Sequence, residues 1–452
     1  LNKIITLKSR TLFQLCIELW HRLGQLRQRQ FLLLFVLMII ASFAEIVSIG
    51  LILPFLGLLA DPEKVFTHEY AQPFIQFLNI KNSTEMLLPV VIAFCLAAIF
   101  SGAIRLLLMY ANIRYSHAVG ADLSLEVYRR TLYQPYQKHV SRNSSEVIAG
   151  ITGKIAMLIG SVLVPLLTLL SSSLLFISIM IALIAIDPII AIIATLIFGL
   201  SYGIILKITK KQLKTNGERV ATETTAVIKS LQEGLGGIRD VLLDGTQEIY
   251  CRIYQKADRS LRHANGQTNI ISASPRYLIE TLGMILIAVL AYTMSQRAGG
   301  MASTLPILGA VALGAQRLLP VLQQGYAALT IMRGAQASLQ DVVGLLDQPL
   351  PKHLDAPATD PLKFEKEIKL NEVGFRYNDE APVVLRAVNL TILKGQCVGF
   401  IGATGGGKST LLDILMGLLP PTKGQMLVDG VPISQENQRS WQQIISHVPQ
   451  HI

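Results

Sequence analysis

Nine consecutive residues of this chain have the types and spacing to hold a polyphosphate: Gly402, Ala403, Thr404, Gly405, Gly406, Gly407, Lys408, Ser409 and Thr410. They fit G-x-x-x-x-G-K-[ST], a pattern whose glycines let successive backbone N–H groups turn inward on a β-phosphate. The loop opens a helix N-terminus, where the dipole also favours negative charge. In that pattern Lys408 would bridge the β- and γ-phosphates of ATP, and the Ser409 hydroxyl would hold Mg2+. The flanks suit the chemistry. Cys397-Val-Gly-Phe-Ile401 predicts a buried strand before the loop, and Leu411-Leu-Asp-Ile-Leu-Met416 predicts a helix after it. Tyr377, at the end of an earlier expected strand, has a ring that could stack on adenine, although a tyrosine there also serves as packing.

The rest of the chain must position this loop, and its composition says where. Of 452 residues, 51% are hydrophobic and only 15% charged, with a mean hydropathy of +0.47. That is too apolar for a soluble protein and predicts a membrane protein of two or three domains. The formal net charge of +10 falls between apolar runs rather than on one polar domain, and no nucleic-acid-binding signature accompanies it, which argues against a nucleic-acid partner. Cys16, Cys95, Cys251 and Cys397 lack C-x-x-C spacing, and the histidines form no H-E-x-x-H cluster. Neither a disulfide framework nor a protein metal cluster is expected.

Six membrane spans are expected. They run over 31–60, 87–110, 155–186 with a kink at Pro165, 188–206, 277–294 and 305–322. Asp187 and Pro188 cap a tight hairpin between the third and fourth, and Gly299-Gly300 joins the last two. Lysines and arginines crowd the N-terminal segment and the segments after spans two and four, whereas the loop over 61–86 is acidic, so both chain ends belong in the cytoplasm. Before the spans, Leu12, Leu15, Cys16, Leu19, Leu23 and Leu26 share one helical face. That face predicts a helix lying flat on the membrane surface within the cytoplasmic segment 1–30; a helix packed on protein is the other reading.

The two long cytoplasmic stretches each read as a pair of polar helices around a break, 111–134 with 146–155 and 207–232 with 246–276. About 25 helical residues reach about 37 Å past the bilayer, far enough to touch a separate domain. The breaks are Gln134-Pro135-Tyr136, followed by a capping box over 143–146, and Gly234-Leu-Gly-Gly237. They define coupling elements near 135–145 and 234–245 within a membrane domain of 31–345. A proline-rich linker covers 346–361, and a soluble α/β domain begins at 362, with strands expected over 368–377, 384–393, 425–430 and 444–448.

With these elements in place the chain resembles a half-transporter of the ATP-binding cassette exporter family, closest to exporters of lipid-linked oligosaccharides and polysaccharides. The resemblance implies a polytopic helical membrane domain of six spans followed by part of a P-loop nucleotide-binding domain. Within that domain it makes Tyr377 the adenine-stacking aromatic, 402–409 the Walker A loop, and Gln450 the Q-loop glutamine that reaches magnesium with Ser409. It also implies a second subunit, as a homodimer, with the fourth and fifth helices crossing so that 238–243 docks on the partner's cassette. The family's signature motif, Walker B aspartate, catalytic glutamate and switch histidine are not among the 452 residues, so no catalytic residue is expected here. The chain is expected to be part of a longer plasma-membrane (inner-membrane) transporter; the alternative is a truncated, non-catalytic membrane protein that at most binds nucleotide or pairs with an intact subunit. Arg317-Leu-Leu-Pro320 and Val140-Ser-Arg-Asn-Ser144 resemble the oligosaccharide branch, which favours amphipathic or lipid-linked substrates over peptides and hydrophobic drugs. Glu45, Arg105 and Arg317, charged within spans, are further functional candidates.

Overall fold

The computed structural model describes residues 11–51, 82–141, 148–186, 188–295, 300–350 and 360–448, with isolated positions between 55 and 76. Gln450, Asp187, Gly299 and the capping box over 143–146 lie outside the described residues. The chain forms two units, Leu1–Val127 with Ile148–Leu346 and Tyr128–Val147 with Asp347–Ile452.

The first unit is helical. Helix α1, Leu12–Arg22, starts in a capping box in which the Gln14 amide nitrogen donates to the Thr11 hydroxyl and the Thr11 amide nitrogen to the Gln14 side chain. Its leucine face does not lie on lipid as expected. Leu15 and Leu19 are buried against Val119, Leu123, Leu339 and Val342, while Phe13 on the other side is 73% exposed. A leucine stripe satisfies protein and lipid equally well; here the apolar partner is another helix.

Helices α2 (Gln25–Gly50), α3 (Leu87–Leu132) and α4 (Tyr136–Ser141) follow. Between α4 and α5 (Val164–Ile186) the chain winds as π-helix over Ala149–Lys154 and Ile159–Leu163. The second π-helical stretch ends two residues before Pro165, whose ring removes a backbone donor in the first turn of α5. Then come α6 (Pro188–Gly236), α7 (Ile238–Leu243), α8 (Gln247–Ala273), α9 (Pro275–Ser295), α10 (Gly300–Gly334) and α11 (Gln336–Leu346).

Among the described residues three stretches are long and apolar enough to cross a membrane, Gln25–Ser48, Leu87–Leu132 and Gly150–Ala185. The remaining three expected spans fall inside α6, α9 and α10. Span two and the polar helix after it are one uninterrupted helix of 46 residues, about 69 Å long against a hydrocarbon core of about 30 Å. Helix α6 does the same over 49 residues. Its close approach to α10 needs glycine, because a Cβ on Gly217 would run into the Gly334 carbonyl oxygen.

The second unit holds one antiparallel sheet in the order β2-β1-β3-β4, from β1 (Glu367–Phe375), β2 (Leu385–Leu393), β3 (Lys423–Val428) and β4 (Val431–Pro432). Ile368 pairs with Ile392 on one side and Val428 on the other. One face of the sheet packs Leu370, Phe375 and Met426 against Ile414 of α12 (Lys408–Leu415) and Trp441 of α13 (Gln438–Gln442). The strands expected over 397–401 and 444–448 do not form, and Ile401 and Val448 are 97% and 90% exposed. A central strand is held by neighbours along both edges, and among the described residues neither run has one.

Candidate nucleotide site

The loop between residues 402 and 407 turns on two left-handed glycines, Gly405 (φ +82°) and Gly407 (φ +81°), a conformation in which a Cβ is strained. Gly407 also packs closely, since a Cβ there would meet a Leu385 methyl at 2.9 Å and the Val384 carbonyl oxygen at 3.3 Å. Helix α12 starts at the next residue. The Lys408 ammonium folds over the loop, donating to the carbonyl oxygens of Gly402 and Ala403 at 2.8 Å each. Gly402 and Gly405 have nothing within 4 Å of where a side chain would begin, so the backbone there is open to a ligand. Ser409 is exposed. These features fit a triphosphate: a concave run of backbone, one cation folded onto it and a free hydroxyl at a helix N-terminus.

Tyr377 is brought to the same helix. Its hydroxyl lies 3.1 Å from that of Thr410, and its ring stands edge-on to Phe375 at 5.0 Å. Thr410 is buried, so its side chain serves this contact and only its backbone is left for the loop. The far end of α12 is fixed by Trp441, whose indole N–H donates to the Leu415 carbonyl at 2.8 Å, and by Gln438 and Gln442, which both donate to the Gly417 carbonyl. Between the two central strands, just after β3, Asp429 accepts from the amide nitrogens of Glu365, Lys366 and Glu367 at 2.6 to 2.8 Å as the chain enters β1. Those backbone donors hold its carboxyl below the usual range.

Within this unit, sequence reasoning missed one face of the segment from the end of α3 through α4. Arg130 donates to the Gln348 carbonyl at 2.9 Å, Gln134 to the Pro349 carbonyl at 3.0 Å and Gln137 to the Tyr377 carbonyl at 2.7 Å. Arg130 lies in the last turn of α3, Gln134 in the break and Gln137 in α4, so no single helical periodicity announced the three together. Tyr136 on the same helix has its phenol raised by burial, then by nearby Asp413 and Tyr377. Asp413 is itself raised by burial, with His447 partly opposing. In the first unit, Glu45 and Arg105 are brought together. Glu45 is 2% exposed and accepts from the Ser101 hydroxyl at 3.0 Å, with an Arg105 nitrogen at 3.5 Å. The side chain of Arg317 lies outside the described residues, as does Gln450.

Residues 31–306 match the ABC transporter transmembrane region and residues 385–452 the ABC transporter domain. The chain belongs to the ABC transporter family. Its fold is that of an ABC exporter: a bacterial Atm1-family ABC exporter solved with ATP bound superposes with a TM-score of 0.67 at 17% identity, over 91% of this chain and 70% of that one. The ATP-dependent lipid A-core flippase of Hahella chejuensis is 24% identical over 344 residues, 76% of this chain and 58% of the flippase. That of Syntrophus aciditrophicus is 26% identical over 370 residues, 79% of this chain and 59% of the flippase. This ABC transporter chain thus spans a little over half the length of either. Over 72 residues, 16% of this chain and 27% of that protein, the chain is 51% identical to the energy-coupling factor transporter ATP-binding protein EcfA1 of Mycoplasmopsis synoviae.

Proposed function

We propose that this ABC transporter chain is one subunit of a dimeric, ATP-driven exporter that flips a lipid, glycolipid or oligosaccharide-type amphiphile across the bacterial cytoplasmic membrane. One observation carries the reading: a membrane region of exporter fold and an open phosphate loop lie in one chain, and lipid A-core flippases match it across most of its length. In this reading six spans place both ends in the cytoplasm, and Tyr377 stacks on the base. The backbone N–H groups of 402–408 and the Lys408 ammonium hold the phosphates, and Ser409 and Gln450 hold Mg2+. Bound ATP supplies the free energy for the transport cycle.

The chain's own residues bind and orient. Lys408 leaves the carbonyls of Gly402 and Ala403 to meet the phosphates, and the α12 N-terminus offers its unpaired amides. We assign no hydrolytic role to any of the 452 residues; magnesium-dependent turnover by the purified chain, abolished in Lys408→Ala, would overturn that. The substrate class is tested by transport in proteoliposomes, using the protein with a complete cassette and fluorescent lipid A, lipid-linked oligosaccharide, peptide and dye. ATP-dependent movement of a lipid-linked substrate is expected; movement of the peptide or dye alone contradicts the reading.

A further inference from the structure

The backbone of Tyr377 has a partner that phosphate binding does not require. Strand β1 ends two residues earlier, at Phe375, so Tyr377 lies beyond the ladder that fixes the strand. Its carbonyl oxygen instead accepts a hydrogen bond at 2.7 Å from Gln137 of α4, 240 residues earlier in the chain. A carbonyl can only accept, so the Gln137 amide nitrogen must face it. The two residues belong to one unit, since Tyr128–Val147 folds with Asp347–Ile452 rather than with the other helices.

The far end of the side chain is held as well. The Tyr377 hydroxyl lies 3.1 Å from that of Thr410 in α12, and the ring stands edge-on to Phe375 at 5.0 Å. These contacts set the tilt of the ring. They do not fix the main chain beneath it, because residues 378–383 are turn and bend rather than strand. Gln137 supplies that anchor, and its neighbour Tyr136 also stands near Tyr377. An aromatic ring whose plane is set beforehand loses less freedom when a base stacks on it.

We infer that Gln137 is a positioning residue for the base of the nucleotide: it holds Tyr377 ready to stack, so that α4, after the second span, favours an adenine nucleotide over a bare triphosphate. The inference rests on the proposed stacking of Tyr377. Phosphates held by the loop over 402–408 gain nothing from Gln137, which makes the two contributions separable.

The test titrates ATP and inorganic tripolyphosphate, each with Mg2+, into the full 452-residue chain in nanodiscs by isothermal titration calorimetry. The ratio of the two Kd values measures what the base adds. Gln137→Ala and Gln137→Met, the second of similar length but without a donor, are each expected to weaken ATP about fivefold and to leave tripolyphosphate unchanged. That fold-change is the worth of one hydrogen bond at roughly 1 kcal/mol. Gln134→Ala loses the bond to the Pro349 carbonyl but not the one to Tyr377, and keeps the ratio of the unaltered chain. A ratio unchanged in Gln137→Ala, equal weakening of the two ligands, or an equal fall in Gln134→Ala overturns the proposal. If the unaltered chain binds tripolyphosphate as tightly as ATP, the stacking of Tyr377 fails with it; a preference for ATP that survives Gln137→Ala overturns the positioning role alone.

Discussion

Gly407 separates two physical effects that a glycine-rich loop usually merges. Gly405 and Gly407 have almost the same left-handed φ, so alanine at either position carries the same backbone strain, about 1–2 kcal/mol. Only Gly407 is crowded. Its added Cβ would meet Leu385 at 2.9 Å and Val384 at 3.2 Å, whereas nothing lies within 4 Å at Gly405. Leu385 is buried in the sheet's core, so its methyl has no open space to yield into, and overpacking of this kind costs about 1–3 kcal/mol. Gly405→Ala should therefore destabilise the nucleotide unit by about 1–2 kcal/mol and Gly407→Ala by about 2–5 kcal/mol. The assay is urea unfolding followed by Trp441 fluorescence. The chain has two tryptophans, so a Trp20→Phe background leaves only the one buried against α12. Equal losses at the two positions would refute the packing of the loop on β2, and a greater loss in Gly405→Ala would reverse it.

Three further outcomes follow from other contacts. Leu15→Ala should destabilise the helical unit by about 2–5 kcal/mol while Phe13→Ala changes it little, since only Leu15 is buried; thermal unfolding in detergent that ranks them the other way would return α1 to the membrane surface. Gly217→Ala should force α6 from α10, because its methyl meets backbone rather than a movable side chain, with a loss of about 1–3 kcal/mol in the same assay; an unchanged midpoint contradicts that contact. The Asp429 carboxyl, held low by three amide donors, stabilises the nucleotide unit above its unfolded value of about 3.9, and that contribution is lost as pH falls through the lower folded value. Asp429→Asn should flatten this acid limb in unfolding measured against pH, and an identical limb in the variant would rule out the carboxylate as its source.

What could be read from sequence depended on how local each determinant was. The phosphate loop is a contiguous pattern whose glycines and lysine need no distant partner, and β1 and β2 show in alternating apolar residues that one sheet face then buries. Residues 397–401 failed because an apolar run becomes a strand only beside other strands. The leucines of α1 could not distinguish lipid from protein, both being apolar solvents for that face. Helices α3 and α6 were divided in the reading because polarity changes where the backbone continues unbroken. The meeting of Glu45 with Ser101 and Arg105, and of Gln137 with the Tyr377 carbonyl, joins residues far apart in the chain, which one sequence does not disclose. The lipid-type substrate rests on resemblance and on the named relatives.

The central claim is that the backbone over 402–408 and the Lys408 ammonium grip a triphosphate. The most direct measurement is photolabelling of the purified chain in nanodiscs with an azido-ATP probe, with peptides mapped around Tyr377 and the loop. Saturable labelling that ATP competes away and Lys408→Ala abolishes is the predicted result. No labelling, or labelling that Lys408→Ala leaves unchanged, contradicts it.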